Sequence, residues 1–558
     1  MLTPAKLDKL PEPMIQLMSK LQDDIIADIC RRITKANLLT PTAEWQLWKA
    51  NQLRLSSSEI NKRIARSLKI RERTVRALYT DALKEAIHED AQIYRYAIAE
   101  GKLPNEYGDK LTSYTRSADF NNALRQGLKN TNGLMRNLTG SAAGVANKTL
   151  SDVLDTAYLK VLSGAFTPNQ VIYSAVCDLG SKGIQIVSYN SGRSDQLDVA
   201  VRRAVLTGIN KTACDMSLGL ANEMGCEHVE VSSHFGARPT HAVWQGQIYS
   251  LKRGHPKYSY FYDATGYGTG AGLGGWNCRH SFFPFFEGLS VAANQPDFTS
   301  EENLEEYNNN QQQRYYERAV RKSKRELTAL YSSRTATADP ELKAQLDRQF
   351  ERKAVTLKNR EARLSEFLRQ TGNLPDNSRV RVDGFGRGIS RKAVYAGNKS
   401  YLKHMNQLGI ENPPKTIALF NQMRYNNSPE YQLMNKYMTS VKKGMLSPTT
   451  GYETYKKYHQ RIQDEIVGMK TINGILITGK SDYFLERVFG TGKDPKTGLS
   501  RNGVEFDDIK DALFNGQVKP VRESKDKNGK IIKSQLFYND NCAVSVNPET
   551  GLIIQCNL

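Results

Sequence analysis

The sequence contains no run of about 20 consecutive apolar residues, the length that a helix needs to cross a bilayer. We therefore expect no transmembrane helix and no membrane partner. The first residues, Met1–Lys6, lack the basic and then apolar pattern of a secretory signal, so export by that route is not expected. The seven cysteines are scattered and form no C-x-x-C pair, which favours reduced thiols over a disulfide framework.

Acidic residues are fewer than basic ones, 58 against 78, which gives a formal net charge of +20. This balance favours an acidic partner, of which nucleic acid is the commonest. A basic surface that only aids solubility is the alternative. Because 558 residues exceed what one hydrophobic core usually supports, we expect roughly three to five domains.

The spacing of apolar residues predicts an α+β multidomain protein with a helical N-terminal region. Within the compact α+β unit that follows, Gly183–Tyr189 and Cys226–Ser232 alternate like strands, and Gln196–Met224 has the pattern of a long helix. The predicted regions are helices at 1–165, the compact α+β unit at 166–300, a basic helical hairpin at 301–372, a connector and helical region at 373–470, and a small α+β tail at 471–558.

Three short patterns imitate ligand-binding motifs. Ser58–Arg76 has the apolar spacing of a helix-turn-helix, but its turn lacks the usual glycine and it lies within a longer helical run. Gly474–Ser481 matches the phosphate-loop pattern, yet its apolar residues and the preceding Asn473 predict a hairpin turn. Gly270–Gly275 matches the dinucleotide glycine pattern but leads into no helix. We expect none of the three to bind its ligand.

The densest group of chemically active residues lies in two blocks, Ser232–Gly246 (SSHFGARPTHAVWQG) and Thr265–Gly288 (TGYGTGAGLGGWNCRHSFFPFFEG). The blocks carry four potential zinc ligands: His234, His241, Cys278 and His280. Their spacing matches no common zinc module, and adjacent Ser233 and His234 would point to opposite faces of an extended segment. We therefore expect hydrogen-bonded turn residues here, with no metal, no cofactor and no activated nucleophile.

The two blocks, in this order and separation, closely resemble the phage minor capsid protein 2 family, which is related to portal-associated head morphogenesis proteins. The resemblance extends over about the first 390 residues. It implies a protein of the portal vertex, present in few copies in the virion and in the bacterial cytoplasm during assembly. Region 1–165 would dock to the portal or capsid. The implied partners are the portal and other capsid proteins, and the charge adds packaged DNA.

On this interpretation the residues of the two blocks shape a fold and catalyse nothing. We expect Gly236, Gly246, Gly266 and Gly268 to form turns. The aromatic residues would pack, and the arginines would hold loops through charge-assisted hydrogen bonds. The structural residues assigned in this way are His234, Arg238, His241, Trp244, Gly266, Trp276, Cys278, Arg279 and His280.

The tail, 471–558, is predicted to contain two short helices followed by strands. This order is similar to the barnase/EndoU/colicin/RelE-like nuclease domains that occur as toxins fused to phage capsid proteins. The resemblance implies metal-independent RNA cleavage, in which a base deprotonates the 2′-hydroxyl and cations stabilise the transition state. RNA would be the substrate and an immunity protein a candidate partner. The implied catalytic residues are Tyr483, Arg487, Lys533, Ser534 and Asn547.

The tail departs from these nucleases at two positions. Relatives commonly carry histidine where this chain has Tyr483 and threonine where it has Gln555, and no histidine follows His459. Tyrosine, with a pKa near ~10, is a poor base at neutral pH. One alternative is therefore a purely structural minor capsid protein with an inactive tail. A second is a DNA-binding regulator that uses Ser58–Arg76.

Overall fold

The computed structural model of the protein describes residues 1–35, 43–163, 166–183, 185–188, 194–481, 483–490, 503–525 and 531–557. These residues form two compact units, Met1–Ala393 and Val394–Leu558. Helices dominate and short sheets accompany them, so the predicted α+β class with a helical N-terminal region is confirmed. Within these ranges, no helix combines the length and the apolar character needed to cross a membrane.

The first unit begins with helices whose starts follow from local sequence. They are α1 Pro4–Lys9, α2 Glu12–Lys35, α3 Ala43–Ala99, α4 Tyr107–Ser113, α5 Ala118–Leu162 and α6 Pro168–Lys182. Ser117 caps α5 by accepting a hydrogen bond from the backbone of Phe120. Thr167 and Gln170 form a capping box at α6, where Pro168 supplies a preset backbone angle.

A small three-stranded sheet lies next to the two sequence blocks. The elements are β1 Gln185–Ser188, β2 Ser194–Gln196, α7 Leu197–Glu223, β3 His228–Val231, α8 Pro239–Ala242, β4 Ile248–Ser250, α9 Phe261–Thr265 and β5 Phe282–Phe285. β1 and β2 form a hairpin, while β3 lies between β4 and β5 and runs antiparallel to both. The strand predicted over Gly183–Tyr189 forms at Gln185–Ser188, and its two flanking positions 184 and 189 lie outside the described residues.

The first unit ends with helices α10 Ser300–Ala336, α11 Pro340–Thr371 and α12 Asn377–Val380, and α13 Arg387–Gln407 runs through the boundary with the second unit. α10 and α11 pack side by side as the predicted hairpin. α10 also packs against α2 and α6. Arg325 and Glu326 are consequently only 7% and 3% exposed.

Close approach of α3, α5 and α7 holds the centre of the first unit together. The buried Tyr79 hydroxyl on α3 hydrogen-bonds Thr131 Oγ1 on α5 at 2.6 Å. Gly208 on α7 faces this pair, and a Cβ atom there would overlap both hydroxyl groups. Glycine at this position therefore lets α7 lie against the other two helices.

The second unit combines helices with a six-stranded sheet. Its further elements are α14 Ile417–Tyr425, α15 Pro429–Lys442, α16 Tyr452–Glu465, β6 Gly479–Lys480, α17 Phe484–Val488, α18 Phe506–Phe514, β7 Gln517–Val518, β8 Arg522–Lys525, β9 Ile531–Tyr538, β10 Ala543–Val546 and β11 Leu552–Asn557. The sheet order is β6-β11-β10-β9-β7, and β8 also pairs with β9. The predicted sequence of short helices followed by strands is thus confirmed for the tail.

The structure also shows whether two of the three short patterns form the motifs that they imitate. Ser58–Arg76 lies inside the continuous helix α3, so the turn that a helix-turn-helix requires is not formed. Gly474 adopts a positive φ of 87°, and Lys470 bridges Leu476 across the turn. This is the predicted hairpin, and it leaves no loop to wrap a phosphate group.

Candidate functional site

A cavity of about 410 Å³ in the first unit brings charged residues together from separate helices. α1, α7, α10, α12 and the two sequence blocks all contribute to its walls. Its arginines are Arg202, Arg203, Arg238, Arg279, Arg314, Arg318, Arg321 and Arg379, and its acidic residues are Asp8, Asp198 and Glu317. Eight cations against three anions leave an excess of five positive charges on the lining.

Asp8 of α1 is the acidic residue around which several of these arginines gather. Its carboxylate lies 2.5 Å from Arg202 Nη2, 3.3 Å from Arg379 Nη2 and 3.7 Å from Arg279 Nη1. Burial by itself raises the pKa of Asp8, but the charges of the arginines outweigh burial and hold that pKa below its usual value. Arg379 also pairs with Asp376 at 2.8 Å, so Asp8 shares the neutralisation of these three guanidinium groups with a second carboxylate.

The pKa of Arg314 on α10 reflects the positive charges that surround it. Burial, followed by the charges of Arg379 and Arg279, lowers the pKa of Arg314 to about 10. Asp8 opposes this change only weakly, since its effect is the smallest of those acting on Arg314. An anion bound in the cavity would stabilise the charged form of this side chain, which makes the cavity chemically suited to anions.

Beside the arginines, His241, Cys278 and His280 form a buried cluster. His241 Nδ1 lies 3.4 Å from His280 Nδ1. Cys278 Sγ lies 3.8 Å from His241 Nδ1 and 3.7 Å from His280 Nδ1. All three residues are at most 2% exposed, and all three line the cavity.

The outer nitrogen of each histidine is fixed by a hydrogen bond. His241 Nε2 lies 2.8 Å from the carbonyl oxygen of Ala271, which can only accept, so Nε2 carries the hydrogen. His280 Nε2 lies 3.1 Å from Gln245 Oε1. The same amide oxygen accepts from the backbone N–H of His234, so Gln245 presents its acceptor and His280 Nε2 is also protonated.

These bonds leave the two Nδ1 atoms as lone-pair acceptors that face each other. Burial lowers the pKa of His241 to about 4 and that of His280 well below its usual value, so both rings are neutral at pH 7. Burial also raises the pKa of Cys278, which is therefore a thiol. The cluster therefore offers two neutral imidazole nitrogens and one sulfur that lie close to one another.

Hydrogen bonds from side chains to backbone carbonyl groups hold the turn that carries Cys278 and His280. The buried Asn210 side chain on α7 donates to the carbonyl oxygens of both residues at 3.1 Å. Asn277 adopts a positive φ of 55°, which asparagine tolerates better than most residues. Arg238 Nη2 donates to the Trp276 carbonyl at 2.9 Å, a contact of the kind expected of a loop-holding arginine.

The remaining predicted signature residues surround the cluster. The His234 ring stacks on His280 with 4.5 Å between centroids, and the buried Trp244 lies 4.5 Å from His241. Gly266 ends α9 in the left-handed conformation with φ 62°, as a turn former. Trp276 packs at the surface and not in the core: it is 64% exposed, and its ring covers the backbone of Gly270.

The five residues assigned to the tail by resemblance lie at two places on its sheet. Lys533 Nζ pairs with Glu549 at 2.8 Å, and Asn547 Oδ1 accepts from the Glu549 backbone at 2.9 Å, so both lie at the turn between β10 and β11. Ser534 is the neighbour of Lys533 on β9 and pairs with Arg522 of β8.

Arg487 and Tyr483 lie towards the other end of the sheet. Arg487, on α17, acts electrostatically on Cys556 of β11, and Tyr483 at the start of that helix is 65% exposed. The register places Cys556 level with Phe537 of β9, four residues from Lys533. At about 3.3 Å per residue this separation is roughly 13 Å along the strand. The five side chains therefore do not form one cluster.

Sequence reasoning missed the arginine-lined cavity altogether. Arg202, Arg314 and Arg379 come from three helices, and no local pattern in the sequence joins them. It also missed Asn210 and Gln245, whose amides look like ordinary polar residues until their buried partners are seen. Only the excess of basic residues pointed towards a binding surface for anions.

Comparison with known proteins relates the chain to phage structural proteins. A family model described as "Phage minor capsid protein 2" matches residues 2–369, well over half of the sequence. A "Structural protein" of Lactococcus phage LL-H is 29% identical over 192 residues, which is 33% of this chain and 51% of that protein. A "Structural protein" of Lactococcus phage mv4 is 44% identical over 72 residues, which is 13% of this chain and 57% of that protein.

The chain spans about half the length of the curated relatives it matches. No solved structure matches it significantly.

Proposed function

The chain belongs to the phage minor capsid protein 2 family, and we propose that it occupies the portal vertex of the virion and contacts the packaged DNA there. The observation that carries this proposal is the cavity in the first unit, which gathers eight arginines in a protein of net charge +20. Portal and other capsid proteins would be its protein partners, and assembly would take place in the bacterial cytoplasm.

The chemistry of the cavity suits phosphate groups. A guanidinium presents a planar set of donors that can bind phosphate through two parallel hydrogen bonds. Contacts of this kind read no base sequence, and they release counterions from the DNA. We therefore expect DNA binding that is independent of sequence and that weakens steeply as salt concentration rises.

Replacement of Arg314 tests the DNA contact. Arg314→Gln removes a cavity cation whose neighbouring charges are mainly positive, so it should weaken duplex binding and reduce the salt slope by about one. Fluorescence anisotropy with unrelated duplexes over a salt series measures both quantities. Arg125→Gln on α5 is the matched control, because Arg125 is exposed and does not line the cavity. Equal losses for the two variants would contradict a role for the cavity.

Location in the virion needs a separate experiment. Phage carrying a tagged copy of the protein can be labelled with gold and examined by electron microscopy. The proposal predicts label at one vertex of each head and co-purification with the portal protein. Label spread over all vertices, or none in purified heads, would contradict placement at the portal.

The tail supports a second candidate function. Its order of α17, α18 and then strands is the order on which the nuclease resemblance rests, so we propose RNA cleavage as an activity of 471–558. Lys533 would supply charge and Ser534 would orient the phosphate at one end of the sheet, where Asn547 would brace the turn, and Arg487 would add charge from the other end. Tyr483, the only proposed acid or base, is exposed to solvent. The competing proposal is a tail with a purely structural role.

Expression of the full chain in bacteria separates these two proposals. A nuclease should arrest growth and degrade RNA, and Arg487→Ala should abolish both effects. Lys457→Ala, an exposed substitution on α16, should retain them. Intact RNA and normal growth with a folded second unit, verified by hydrogen exchange, would contradict the nuclease proposal and favour the structural tail.

A further inference from the structure

We propose that His241, Cys278 and His280 bind a zinc ion through the two Nδ1 atoms and the sulfur. The fourth coordination position would open into the arginine-lined cavity, because all three residues line it. One histidine is on α8, and the other two residues precede β5. This site goes beyond the proposed function and does not depend on DNA binding.

The distances within the cluster are those of a tetrahedral zinc site. Zn–N bonds of about 2.0–2.1 Å and a Zn–S bond of about 2.3 Å place two nitrogens about 3.4 Å apart and nitrogen and sulfur about 3.6 Å apart. The observed values are 3.4 Å between the Nδ1 atoms and 3.7 and 3.8 Å from Cys278 Sγ to them. An ion could therefore enter with almost no movement of the ligands.

The orientation of the two imidazoles is also that of metal ligands. A ligating histidine normally donates its other N–H to a carbonyl, carboxylate or amide oxygen, which fixes the ring and its tautomer. His241 donates to the Ala271 carbonyl and His280 donates to Gln245 Oε1. Without an ion, two buried lone pairs face each other and only one thiol hydrogen is available to them. A cation between them satisfies both at once.

The donor set selects the kind of metal. Imidazole and thiolate favour zinc and disfavour magnesium or calcium, which prefer oxygen ligands. Cys278 would bind as the thiolate, so each zinc ion that enters releases one proton to solvent.

The fourth position is left to solvent or to an anion in the cavity. His234 is not placed to fill it, because its ring stacks on His280 and its Nδ1 lies 3.2 Å from the Phe235 carbonyl. Three protein ligands and one open position are typical of zinc sites that bind exogenous groups. The nearby arginines would favour an anionic group there.

The spacing of these three ligands along the sequence predicted that no metal binds here. The ligands come from two blocks that no common zinc module separates in this way, and the sequence alone therefore predicted no metal. The folded chain joins them through Gln245, Ala271 and Asn210, none of which is itself a ligand.

Zinc analysis of the full chain tests the inference. After dialysis against zinc and removal of free metal, mass spectrometry should find about one zinc ion per chain. X-ray absorption should show nitrogen at about 2.0–2.1 Å and sulfur at about 2.3 Å from zinc. Cys278→Ser should lower zinc affinity at least tenfold. Cys214→Ser is the matched control, since Cys214 is a buried thiol on α7 outside the ligand set.

Several results would overturn the site. They are absence of bound zinc after dialysis, an absorption spectrum without sulfur, or equal zinc affinity in Cys278→Ser and the wild type. If Cys278→Ser fails to fold, the absorption spectrum of the wild-type chain decides the question without it.

Discussion

Asn210 links α7 to the turn that carries two members of the histidine–cysteine cluster. Its side chain is fully buried and donates to the carbonyl oxygens of Cys278 and His280. No sequence pattern identifies this asparagine, because the sequence alone does not show whether an asparagine inside a helix is buried or exposed. Residue roles of this kind depend on tertiary contacts and lie beyond sequence reasoning.

Replacing Asn210 should destabilise the first unit. Asn210→Ala leaves two buried carbonyl groups without their donor, which costs about 2–4 kcal/mol. Urea unfolding of the full chain, followed by tryptophan fluorescence, measures this loss, since all four tryptophans lie in the first unit. Asn51→Ala on the exposed face of α3 is the control and should change stability by less than about 0.5 kcal/mol. A neutral Asn210→Ala variant would contradict the account of the turn.

His459 should make the second unit sensitive to acid. Burial, followed by the charges of Lys480 and Lys436, lowers the pKa of His459 to about 4. In the unfolded chain this histidine binds a proton at about pH 6.5. The stability that the folded state gains by keeping His459 neutral is therefore complete above this pH and is lost as the pH falls towards 4. Hydrogen exchange of second-unit peptides at pH 7.5 and 4.5, corrected for intrinsic exchange, should show a smaller acid-induced loss in His459→Gln. An identical loss in both proteins would contradict this.

Several residue roles could nevertheless be predicted. The turn-forming glycines, the buried Trp244 and the loop-holding Arg238 follow from side-chain chemistry alone. That Trp276 packs on a glycine-rich surface loop and not in the core could not be read from the sequence, because large aromatic residues more often pack inside.

At the scale of elements, close contact of α3, α5 and α7 positions α7, which supplies both Asn210 and two cavity arginines. Gly208→Ala should force Thr131 and Tyr79 apart and break their hydrogen bond. Overpacking together with the lost hydrogen bond should lower the free energy of unfolding by about 2–4 kcal/mol. Urea unfolding monitored by tryptophan fluorescence measures this cost.

Gly140 on α5 is the matched glycine. A Cβ atom there would meet nothing within 4 Å, so Gly140→Ala should stabilise the helix by about 0.5–1 kcal/mol. Destabilisation by both substitutions to the same degree would show that helix packing at Gly208 is not the cause.

Elements were more predictable than their contacts. Asn473 and Gly474 predict the hairpin, because turn chemistry is local. Within the hairpin predicted at 301–372, the sequence could not show that α2 and α6 cover one face of α10.

At the scale of the whole molecule, charge was the most informative property of the sequence. The net charge of +20 predicted an acidic partner, but it could not show where the charge is concentrated. Folding gathers eight arginines from distant segments around one cavity beside the proposed zinc site, and three of them contact Asp8. Family membership and this convergence together support a protein that faces packaged DNA.

Photo-crosslinking in intact phage tests this claim most directly. Tyr307 of α10 lines the cavity, and its ring can form a covalent bond to nearby DNA under ultraviolet light. In DNA-filled heads we expect crosslinked nucleotides on the peptide that contains Tyr307, and fewer of them in the Arg314→Gln variant. Crosslinks confined to the second unit, or a complete absence of them from the first unit, would contradict the account.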